Sequence, residues 1–370
     1  MNYQYQNSKY TFKRYPPTNN RSLIPWSAAE EHILEHIPER NFIAPKIAIA
    51  NDRFGYLSVL LNEHSPQVII DTKSQEKAIL ANFALNKRDL PEERRTFSDE
   101  SLTDSISLGV MSIPKSVALF HYYLNGLHQN LTQDGVIFAG FMTRHFTPQW
   151  LEIASLYFEE VKQSKAWKKS RVLILEKPIV LEEQSFWKQW ELAISPEKNI
   201  PVWQHAGVFS GTGIDMGTRF LLENMNLSDS ENDILDLGCG NGIIAKYLHS
   251  TYPDRKYHLM DDSRLALKAA RKNFDDSNIQ FHWQDTLSDF SDESLDVIAS
   301  NPPFHFGYET NIEVTTALFE QSQKRLRQNG RLIIVANRHL NYKTHLQRLF
   351  PKVRNIAEND AFEVIECLKS

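Results

Sequence analysis

The sequence repeats one order of strand-like and helix-like segments twice, and this duplication constrains the fold more than any other feature. The first copy contains KIAIANDRFGYLSVLL and VIIDTKSQEKAILANFALN, and the second contains ILDLGCGNGIIAKYL and HLMDDSRLALKAARKNF. An offset of about 190 residues also relates LGVMSIPK to IASNPPF and Asp134-Gly135 to Asn329-Gly330. Two copies of one plan predict two tandem domains of similar topology.

Within each copy, short apolar runs alternate with segments of helical periodicity. Parallel strands that are separated by helix-length segments need crossover connections, which give a mostly parallel sheet with helices on both faces. The sequence therefore predicts the α/β class, with two tandem Rossmann-like domains and ligands at the carboxyl ends of the strands. We expect one domain over residues 1–180, a helix and linker over 181–200, and the second domain over 201–370.

Composition places the chain among ordinary globular proteins. It is 41% hydrophobic and 24% charged, with a net charge of -5 and two cysteines. No apolar run approaches the roughly 20 residues of a membrane span, and two cysteines cannot form a disulfide framework, so we expect a cytoplasmic protein without a membrane partner. The net charge argues against a wholly basic surface but allows a local basic face, for which Lys168 and Lys169 beside Trp167 are candidates.

The segment from Leu235 to Gly242, LDLGCGNG, lies between a predicted strand and a predicted helix. Gly238, Gly240 and Gly242 would form a turn in which a ligand can touch the main chain, a pattern that fits NAD, FAD or S-adenosylmethionine. A carboxylate just before the glycines would repel a pyrophosphate but can pair with the ammonium of a methionyl group. Asp236 therefore favours S-adenosylmethionine.

Further carboxylates follow the next two strands. Asp261 ends a strand about 20 residues after the loop, where an acidic side chain can accept hydrogen bonds from both ribose hydroxyls. Its neighbour Asp262 competes for that role or caps the helix that begins at Arg264. Asp285 follows the strand QFHWQ, where a side chain reaches the edge of an adenine. We expect Asp236, Gly238, Gly240, Asp261 and Asp285 to bind the cofactor.

The fourth strand of the second copy ends at Ser300 and continues into NPPFHFG. Pro302 and Pro303 fix their own φ and restrict the residue before each, so the segment is stiff. The Asn301 side-chain oxygen and the Pro302 carbonyl can then accept the two hydrogens of an exocyclic amine, while Phe304 stacks on the base. Asn301, Pro302 and Phe304 are the predicted catalytic residues.

The chemistry expected of this segment is orientation rather than proton abstraction. The lone pair of an aromatic amine is delocalised into its ring, so a site contributes by aligning the nitrogen and by accepting its hydrogens. The attacked nitrogen becomes cationic and loses its proton after transfer. His305 either relays that proton, packs, or binds phosphate, and we group it with Pro303 as a substrate-binding residue.

The first copy has Asn-Asp-Arg-Phe-Gly where the second has Gly-Cys-Gly-Asn-Gly. The side chains of Asp52, Arg53 and Phe54 would obstruct a backbone that must approach a ligand closely. We therefore predict that the N-terminal domain is degenerate, without a cofactor site, and serves substrate binding or structure.

These motifs carry a family resemblance. DLGCGNG, the acidic end of the next strand and NPPF resemble the class I S-adenosylmethionine-dependent methyltransferases that modify exocyclic or amide nitrogens. The longer strings GVFSGTGIDMGTRFLL, NPPFH and IVANRHLNY resemble the bacterial ribosomal RNA guanine-N2 methyltransferases, the large-subunit enzymes more than their small-subunit sisters. The resemblance covers nearly the whole chain, including the opening KRYPPTNNRSLIPWSAAEEHIL.

The resemblance implies methylation of N2 of one guanine in 23S ribosomal RNA, without a metal. It implies that Asp236, Gly238 and Gly240 hold the methionyl portion of the cofactor, Asp261 the ribose and Asp285 the adenine side, although relatives carry asparagine at this last position. Asn301 to Phe304 would hold the guanine. The RNA would contact basic residues of the first copy, Lys168 and Lys169. It would also contact basic residues after the sixth strand, Arg338, His339 and Lys343.

Other functions remain open at this point. The small-subunit 16S ribosomal RNA is an alternative substrate, and adenine-N6 or glutamine-N5 methylation uses the same Asn-Pro-Pro-aromatic geometry on a similar NH₂ group. A non-catalytic RNA-binding assembly protein would keep the fold but not the motifs. Intact DLGCGNG and NPPF favour the RNA guanine enzyme.

Overall fold

The computed structural model describes residues 1–18, 20, 22–37, 46–211, 213–275, 277–302 and 312–370. The chain divides into two compact units, Met1–Phe186 and Trp187–Ser370. Each unit is a seven-stranded sheet with helices and a separate two-stranded hairpin. None of the helices in the described ranges has the length and apolar character that crossing a bilayer requires.

The first unit contains a hairpin, a sheet and five α-helices in the described residues. In chain order its elements are β1 (Asn2–Tyr5), β2 (Ser8–Thr11), α1 (Ala28–His36), β3 (Ile47–Ala50), α2 (Tyr56–Leu60), β4 (Gln67–Ile70), α3 (Lys73–Leu85), β5 (Arg95–Phe97), β6 (Ile106–Ser112), α4 (Val117–Gln129), β7 (Leu131–Met142), α5 (Gln149–Tyr157), β8 (Phe158–Gln163) and β9 (Ser170–Pro178).

The second unit repeats this order. Its elements are β10 (Trp187–Ser195), β11 (Lys198–His205), α6 (Met216–Glu223), β12 (Asp233–Leu237), α7 (Ile243–Thr251), β13 (Lys256–Asp261), α8 (Arg264–Lys272), β14 (Ile279–Trp283), β15 (Leu295–Ser300), α9 (Ile312–Arg325), β16 (Leu326–Asn337), α10 (Tyr342–Leu346), β17 (Lys352–Glu358) and β18 (Phe362–Leu368).

The two sheets have the same strand order. The first is β5-β4-β3-β6-β7-β9-β8 and the second is β14-β13-β12-β15-β16-β18-β17. In both, the first five strands in this order are parallel, the sixth is antiparallel to its two neighbours, and the carboxyl ends of the parallel strands lie along one edge. This arrangement confirms the predicted α/β class with two tandem Rossmann-like domains.

Helices cover both faces of the second sheet. One buried cluster joins apolar residues of α6, α7 and α8 to the sheet, and another joins residues of α9 and α10 to the opposite face. The inner strand β12 reads DILDL, and its last four residues are buried. Apolar runs of this kind are typical of parallel strands, which are buried on both faces.

The segment between the two sheets differs from the sequence-based expectation. Residues 187–205 form an antiparallel hairpin, β10–β11, within the second unit, so the helix predicted inside 181–200 is wrong. In WKQWELAIS the buried Leu192 alternates with the exposed Glu191 and Ala193, a period of two that indicates a strand. Residues 179–186 have no regular secondary structure.

The hairpins extend the duplication beyond the two sheets. In the first unit, the Asn82 amide exchanges hydrogen bonds with the backbone N–H and C=O of Lys13, which follows β2, and donates to the Phe54 carbonyl. In the second unit, the Asn273 amide exchanges the corresponding two hydrogen bonds with the backbone N–H and C=O of Trp203 in β11. It also donates to the Asn241 carbonyl. Each asparagine therefore joins a hairpin to the loop that follows the first strand of its sheet.

Candidate active site

The carboxyl ends of β12, β13 and β15 bring the predicted cofactor residues together. Gly238 to Gly242 follow β12, Asp261 is the last residue of β13, and Asn301 follows β15. The Ser300 hydroxyl donates to the Leu237 carbonyl at 2.7 Å, which links the ends of β15 and β12 directly. The glycine loop and Asn301 therefore flank one edge of the sheet.

The glycines of the loop have two different roles. Gly242 has φ +79, and a Cβ there would lie 2.7 Å from Leu259, so this residue lets the start of α7 pack against the core. Gly240 has φ +56, and among the described residues a Cβ there would meet nothing closer than Val208 at 3.9 Å. The space above Gly240 is thus open, as close approach of a ligand to the main chain requires.

Asp236 is the most unusual carboxylate of the site. It is 1% exposed; its Oδ2 accepts a hydrogen bond from the Ala245 N–H at 3.1 Å, at the start of α7. Its Oδ1 is buried and has no hydrogen-bond partner within the described ranges. Burial, with a smaller contribution from the negative charge of Asp261, raises the pKa of Asp236 from its ordinary 3.8 to about 7. A cationic partner would offset both costs.

Asp261 fixes the shape of the glycine loop. Its Oδ2 accepts from the Gly240 N–H at 2.8 Å, and its Oδ1 accepts from the Ser263 N–H at 2.9 Å. A carboxylate oxygen can accept more than one hydrogen bond, so these contacts are compatible with a ligand hydroxyl. The helix α8 is capped by Ser263, whose side chain accepts from the Ala266 N–H, and not by Asp262.

These residues fit S-adenosylmethionine. The Asp236 oxygen that has no partner among the described residues suits the ammonium group of the methionyl portion, and the open face of Gly240 admits a ligand to the main chain. Asp261 ends the next strand, where a diol is commonly bound in this kind of sheet. Asp285 lies beyond the end of β14 and is half-buried.

Asn301 is oriented by two residues of the segment that begins α6. Its Nδ2 donates to Asp215 Oδ2 at 3.1 Å and to Thr218 Oγ1 at 2.9 Å. A carboxylate only accepts, so Asp215 determines that the amide nitrogen faces it. The Asn301 carbonyl oxygen is consequently directed to the other side of the amide, where it is an acceptor.

Asp215 and Thr218 were not identified as site residues from the sequence, although both lie in the string GVFSGTGIDMGTRFLL that carries the family resemblance. Asp215 is also the N-cap of α6, where its Oδ2 accepts from the Thr218 N–H at 3.0 Å. An Asp followed three residues later by Thr, just before the apolar run FLL, indicates a helix start. That signal does not reveal a contact with a residue 86 positions away.

The structure places the other predicted site residues as follows. Pro302 is buried; Pro303, Phe304 and His305 lie outside the described residues. Arg338 is exposed after β16, and its guanidinium donates to the Asn359 carbonyl at 3.2 Å.

Lys168 and Lys169 lie in the first unit, between β8 and β9. The Lys168 ammonium is 3.0 Å from Glu31 and 4.2 Å from the centre of the Trp167 ring, and its side chain remains 59% exposed. Lys169 has a left-handed backbone with φ +60, and its carbonyl accepts from the Thr143 N–H at 2.9 Å. This segment is therefore exposed and basic, but the charge of Lys168 is partly neutralised.

The corresponding loop of the first unit is filled by side chains. Phe54 is 6% exposed, and the guanidinium groups of Arg14 and Arg53 lie 4.8 and 4.9 Å from the centre of its ring. This packing agrees with a degenerate N-terminal copy. A search of the described part of the chain finds no group of three histidine, cysteine or acidic side chains that could hold a metal ion.

The sheet order, the glycine loop and the carboxylates at the strand ends define the class I methyltransferase fold. Over its full length the chain resembles the solved T. thermophilus 16S rRNA N2 methyltransferase RsmC, determined with AdoMet and guanosine, with a TM-score of 0.80 and 16% identity over 100% of this chain and 98% of that one. Residues 199–366 match the methyltransferase small domain and residues 1–178 the RLMG N-terminal domain.

Curated relatives identify the family more narrowly. The ribosomal RNA large subunit methyltransferase G of Shewanella denitrificans is 32% identical over 96% of each chain. The protein of the same name from Shewanella sp. strain MR-4 is 30% identical over 95% of each chain. The chain belongs to the ribosomal RNA large subunit methyltransferase G family.

Proposed function

We propose that this protein transfers the methyl group of S-adenosylmethionine to the exocyclic N2 of one guanine in 23S ribosomal RNA. The proposal is supported by the large-subunit family to which the chain belongs. It is carried by the orientation of Asn301, whose amide nitrogen is held by Asp215 and Thr218. The carbonyl oxygen of that amide is an acceptor, which suits the hydrogens of a substrate NH₂ group.

The chain's own residues would act by binding and orientation. Asp236 pairs with the cofactor ammonium, Gly238 and Gly240 allow close approach, and Asp261 accepts from the ribose. Asp285 serves the adenine side. S-adenosylmethionine, when bound, supplies an electrophilic sulfonium methyl group.

Asn301 Oδ1 and the Pro302 carbonyl accept the two hydrogens of the guanine amine and so direct its lone pair towards the methyl group. Phe304 stacks on the base, with Pro303 and His305 as further substrate contacts. Alignment of this kind contributes mainly through proximity and fixed dipoles. No base is required before transfer, because the nitrogen loses its proton afterwards.

The N-terminal domain, residues 1–180, is proposed to serve RNA binding or structure, and residues 201–370 to form the catalytic domain. The filled loop around Phe54 supports this division. Lys168, Lys169 and Arg338 are the proposed contacts with the RNA backbone. Contacts of this type position the substrate but do not read its sequence.

The test is to incubate the purified protein with radiolabelled S-adenosylmethionine and unmodified 23S or 16S RNA, and to identify the labelled nucleoside after digestion. We expect N2-methylguanosine from 23S RNA alone, and no label with the Asn301→Ala variant. Label from 16S RNA alone would assign the activity to the small subunit. Label in N6-methyladenosine or in glutamine of a protein would overturn the choice of guanine.

A further inference from the structure

Helix α8 carries a row of basic residues on its solvent side, which we call the α8 strip. Its apolar residues Leu265, Leu267 and Ala270 are buried against the sheet. The opposite side carries the four residues of the strip, which are separated by four, three and one positions in the sequence: Arg264, Lys268, Arg271 and Lys272. Spacings of three and four place residues on one side of a helix.

Aromatic rings lie under three of the four cations. Arg264 is 5.1 Å from the centre of the Trp283 ring, and Arg271 is 5.0 Å from that of Phe281. Lys272 is 4.8 Å from the Trp187 ring and 4.4 Å from the Trp203 ring, both of which belong to the hairpin β10–β11. Arg264 and Arg271 therefore lie over rings of β14, and Lys272 lies over rings of the hairpin. The rings under the strip come from both of these elements.

The rings hold Arg271 and Lys272 without neutralising their charges. Arg271 and Lys272 are exposed, and neither forms an ion pair with a carboxylate in the described residues. A cation over a ring keeps its N–H donors directed to solvent, and its attraction to the ring fixes the side chain and lowers the entropy lost on binding an anion. The side chains are thus preorganised for an anionic partner.

The rings themselves favour one class of anion. All four rings, those of Trp187, Trp203, Phe281 and Trp283, are half-buried and present part of their surface to solvent. Basic side chains interleaved with accessible rings bind single-stranded nucleic acid, in which phosphates meet the cations and unpaired bases stack on the rings. An acidic protein surface would use the cations but not the rings.

We infer that the α8 strip binds the RNA backbone along a path that runs from the candidate active site, at Arg264, to the hairpin β10–β11, at Lys272. The inference rests on the proposed function, because it assumes an RNA substrate. Helix α8 begins at the carboxyl edge of the sheet, immediately after Asp261 and its neighbours, so the strip starts next to the candidate active site. RNA held there enters the catalytic domain through contacts separate from Lys168 and Lys169 of the N-terminal domain.

The experiment compares two double variants that change the net charge equally. Arg271→Glu with Lys272→Glu reverses the strip, and Lys324→Glu with Lys352→Glu is the matched control. Lys324 and Lys352 are exposed; Lys324 belongs to α9, on the opposite face of the sheet from α8, and Lys352 begins β17, at the sheet edge opposite β14. Binding of a 23S RNA transcript is measured from 0.05 to about 0.3 M salt.

We expect the strip variant to bind the transcript at least about tenfold more weakly at 0.1 M salt, with a salt slope reduced by about 1.4 to 1.8, as two lost phosphate contacts require. Binding of S-adenosylmethionine by calorimetry and the thermal midpoint should match those of the control. The conservative Lys272→Arg variant should keep RNA affinity, since arginine also binds phosphate and rings.

Three results would overturn the inference, and each is separable from failure of the proposed function. Equal RNA affinity and salt slope in the strip and control variants would make the strip a solvated surface. Loss of binding only to protein-containing ribosomal particles would assign the strip to a protein partner. Weaker RNA binding accompanied by weaker cofactor binding would indicate a local folding defect. If the unaltered protein neither binds nor methylates ribosomal RNA, the proposed function itself fails.

Discussion

The glycine loops of the two units have the same framework and different ligand-facing residues. Gly55 and Gly242 both precede a helix, with φ of 76° and 79°, and Asn82 and Asn273 hold the two loops through the same hydrogen bonds. What the copies share is therefore the scaffold that shapes the loop. Duplication preserved the residues on which folding depends.

The residues that differ are those that would meet a ligand. Counting back from the two glycines, Ile49 corresponds to Asp236, and Asn51, with φ of 56°, corresponds to Gly238, with φ of 71°. An asparagine can adopt the left-handed backbone of a glycine, but it adds a side chain above the loop. The comparison teaches that the loop conformation and the binding function are separable properties of this fold.

The first turn of the helix after the loop has a carboxylate acceptor in both copies, although the first copy has Ile49 where the second has Asp236. Asp236 of the second copy accepts from the N–H of Ala245, and Ser58 is the corresponding residue of the first copy. There the acceptor is Asp52 of the loop, whose Oδ2 accepts from both the N–H and the hydroxyl of Ser58 at 2.7 Å. The carboxylate that accepts from the first turn of the helix therefore lies on the strand in the second copy and on the loop in the first.

The largest expected effect comes from Asn301→Ala, compared with Ser112→Ala at the corresponding position of SIPK. Loss of the acceptor should lower kcat for RNA methylation by about 100- to 1000-fold, the range for removing one oriented polar group from a site. Affinity for S-adenosylmethionine should stay within a few-fold. Retained turnover in Asn301→Ala, or an equal loss in Ser112→Ala, would remove the proposed role of the amide.

Asp236→Asn should weaken binding of S-adenosylmethionine by about 1.5–3 kcal/mol, the range for a hydrogen bond to a charged group. With a pKa near 7, the carboxyl must ionise to bind a cation, so the affinity of the unaltered protein should rise with pH up to about 7 and then level off. The variant should show a flat profile. Calorimetry in buffers of different ionisation enthalpy should detect proton release below pH 7 for the unaltered protein only.

The same substitution should stabilise the ligand-free protein at alkaline pH. Because folding raises the pKa of Asp236, this carboxyl stabilises the fold fully below pH 4, and the contribution is lost as the pH rises through about 7. Asp236→Asn should therefore raise the thermal midpoint at pH 8 but not at pH 5. Asp52→Asn is the matched control, since the Asp52 Oδ1 is also buried without a hydrogen-bond partner in the described residues. It should leave cofactor affinity unchanged.

Asn82→Ala and Asn273→Ala test the shared framework. Each removes an amide that exchanges buried hydrogen bonds with a hairpin, so each should lower the free energy of unfolding by about 1–3 kcal/mol. Only Asn273→Ala should also weaken S-adenosylmethionine binding, because it supports the loop with the open glycine. Equal effects on cofactor affinity would show that the first unit takes part in binding.

The smallest expected effect is that of Lys168→Glu combined with Lys169→Glu. RNA affinity should fall about two- to fivefold at 0.1 M salt, with a flatter salt dependence and unchanged cofactor binding. The effect is limited because Glu31 already neutralises part of the Lys168 charge. Unchanged RNA affinity would make this segment an ordinary exposed turn.

Much of this architecture could be predicted from the sequence because its signals are local. Apolar runs with helix-length spacing gave the sheets, and the glycine loop and the aspartate after the next strand located the candidate site. The sequence does not predict the hairpin β10–β11, because WKQWELAIS contains consecutive helix-forming residues. Alternation of buried and exposed positions over a few residues is a weaker signal than a run of helix-forming residues such as Glu191, Leu192 and Ala193.

The contacts that complete the site are long-range and could not be predicted in this way. The hydrogen bond between Asn301 and Asp215 joins residues from separate elements, and the burial of an Asp236 oxygen without a partner among the described residues depends on the packing around it. The rings beneath the α8 strip come from β10, β11 and β14, whose proximity requires the folded sheet. Sequence patterns specify elements, whereas these contacts depend on how the elements meet.

The hydrogen bonds of the Asn273 side chain join the hairpin β10–β11 to the glycine loop, and this has a consequence for binding. Its amide nitrogen has two hydrogens and three carbonyl acceptors, those of Trp203 at 2.9 Å, Asn241 at 2.9 Å and Ala269 at 3.2 Å. The hairpin that lies under Lys272 and the loop that borders the cofactor site therefore compete for the same donors. Any displacement of one changes the hydrogen bonding of the other, and thermodynamic reciprocity makes the coupling equal in both directions. Whatever factor the RNA imposes on cofactor affinity, the cofactor must impose on RNA affinity.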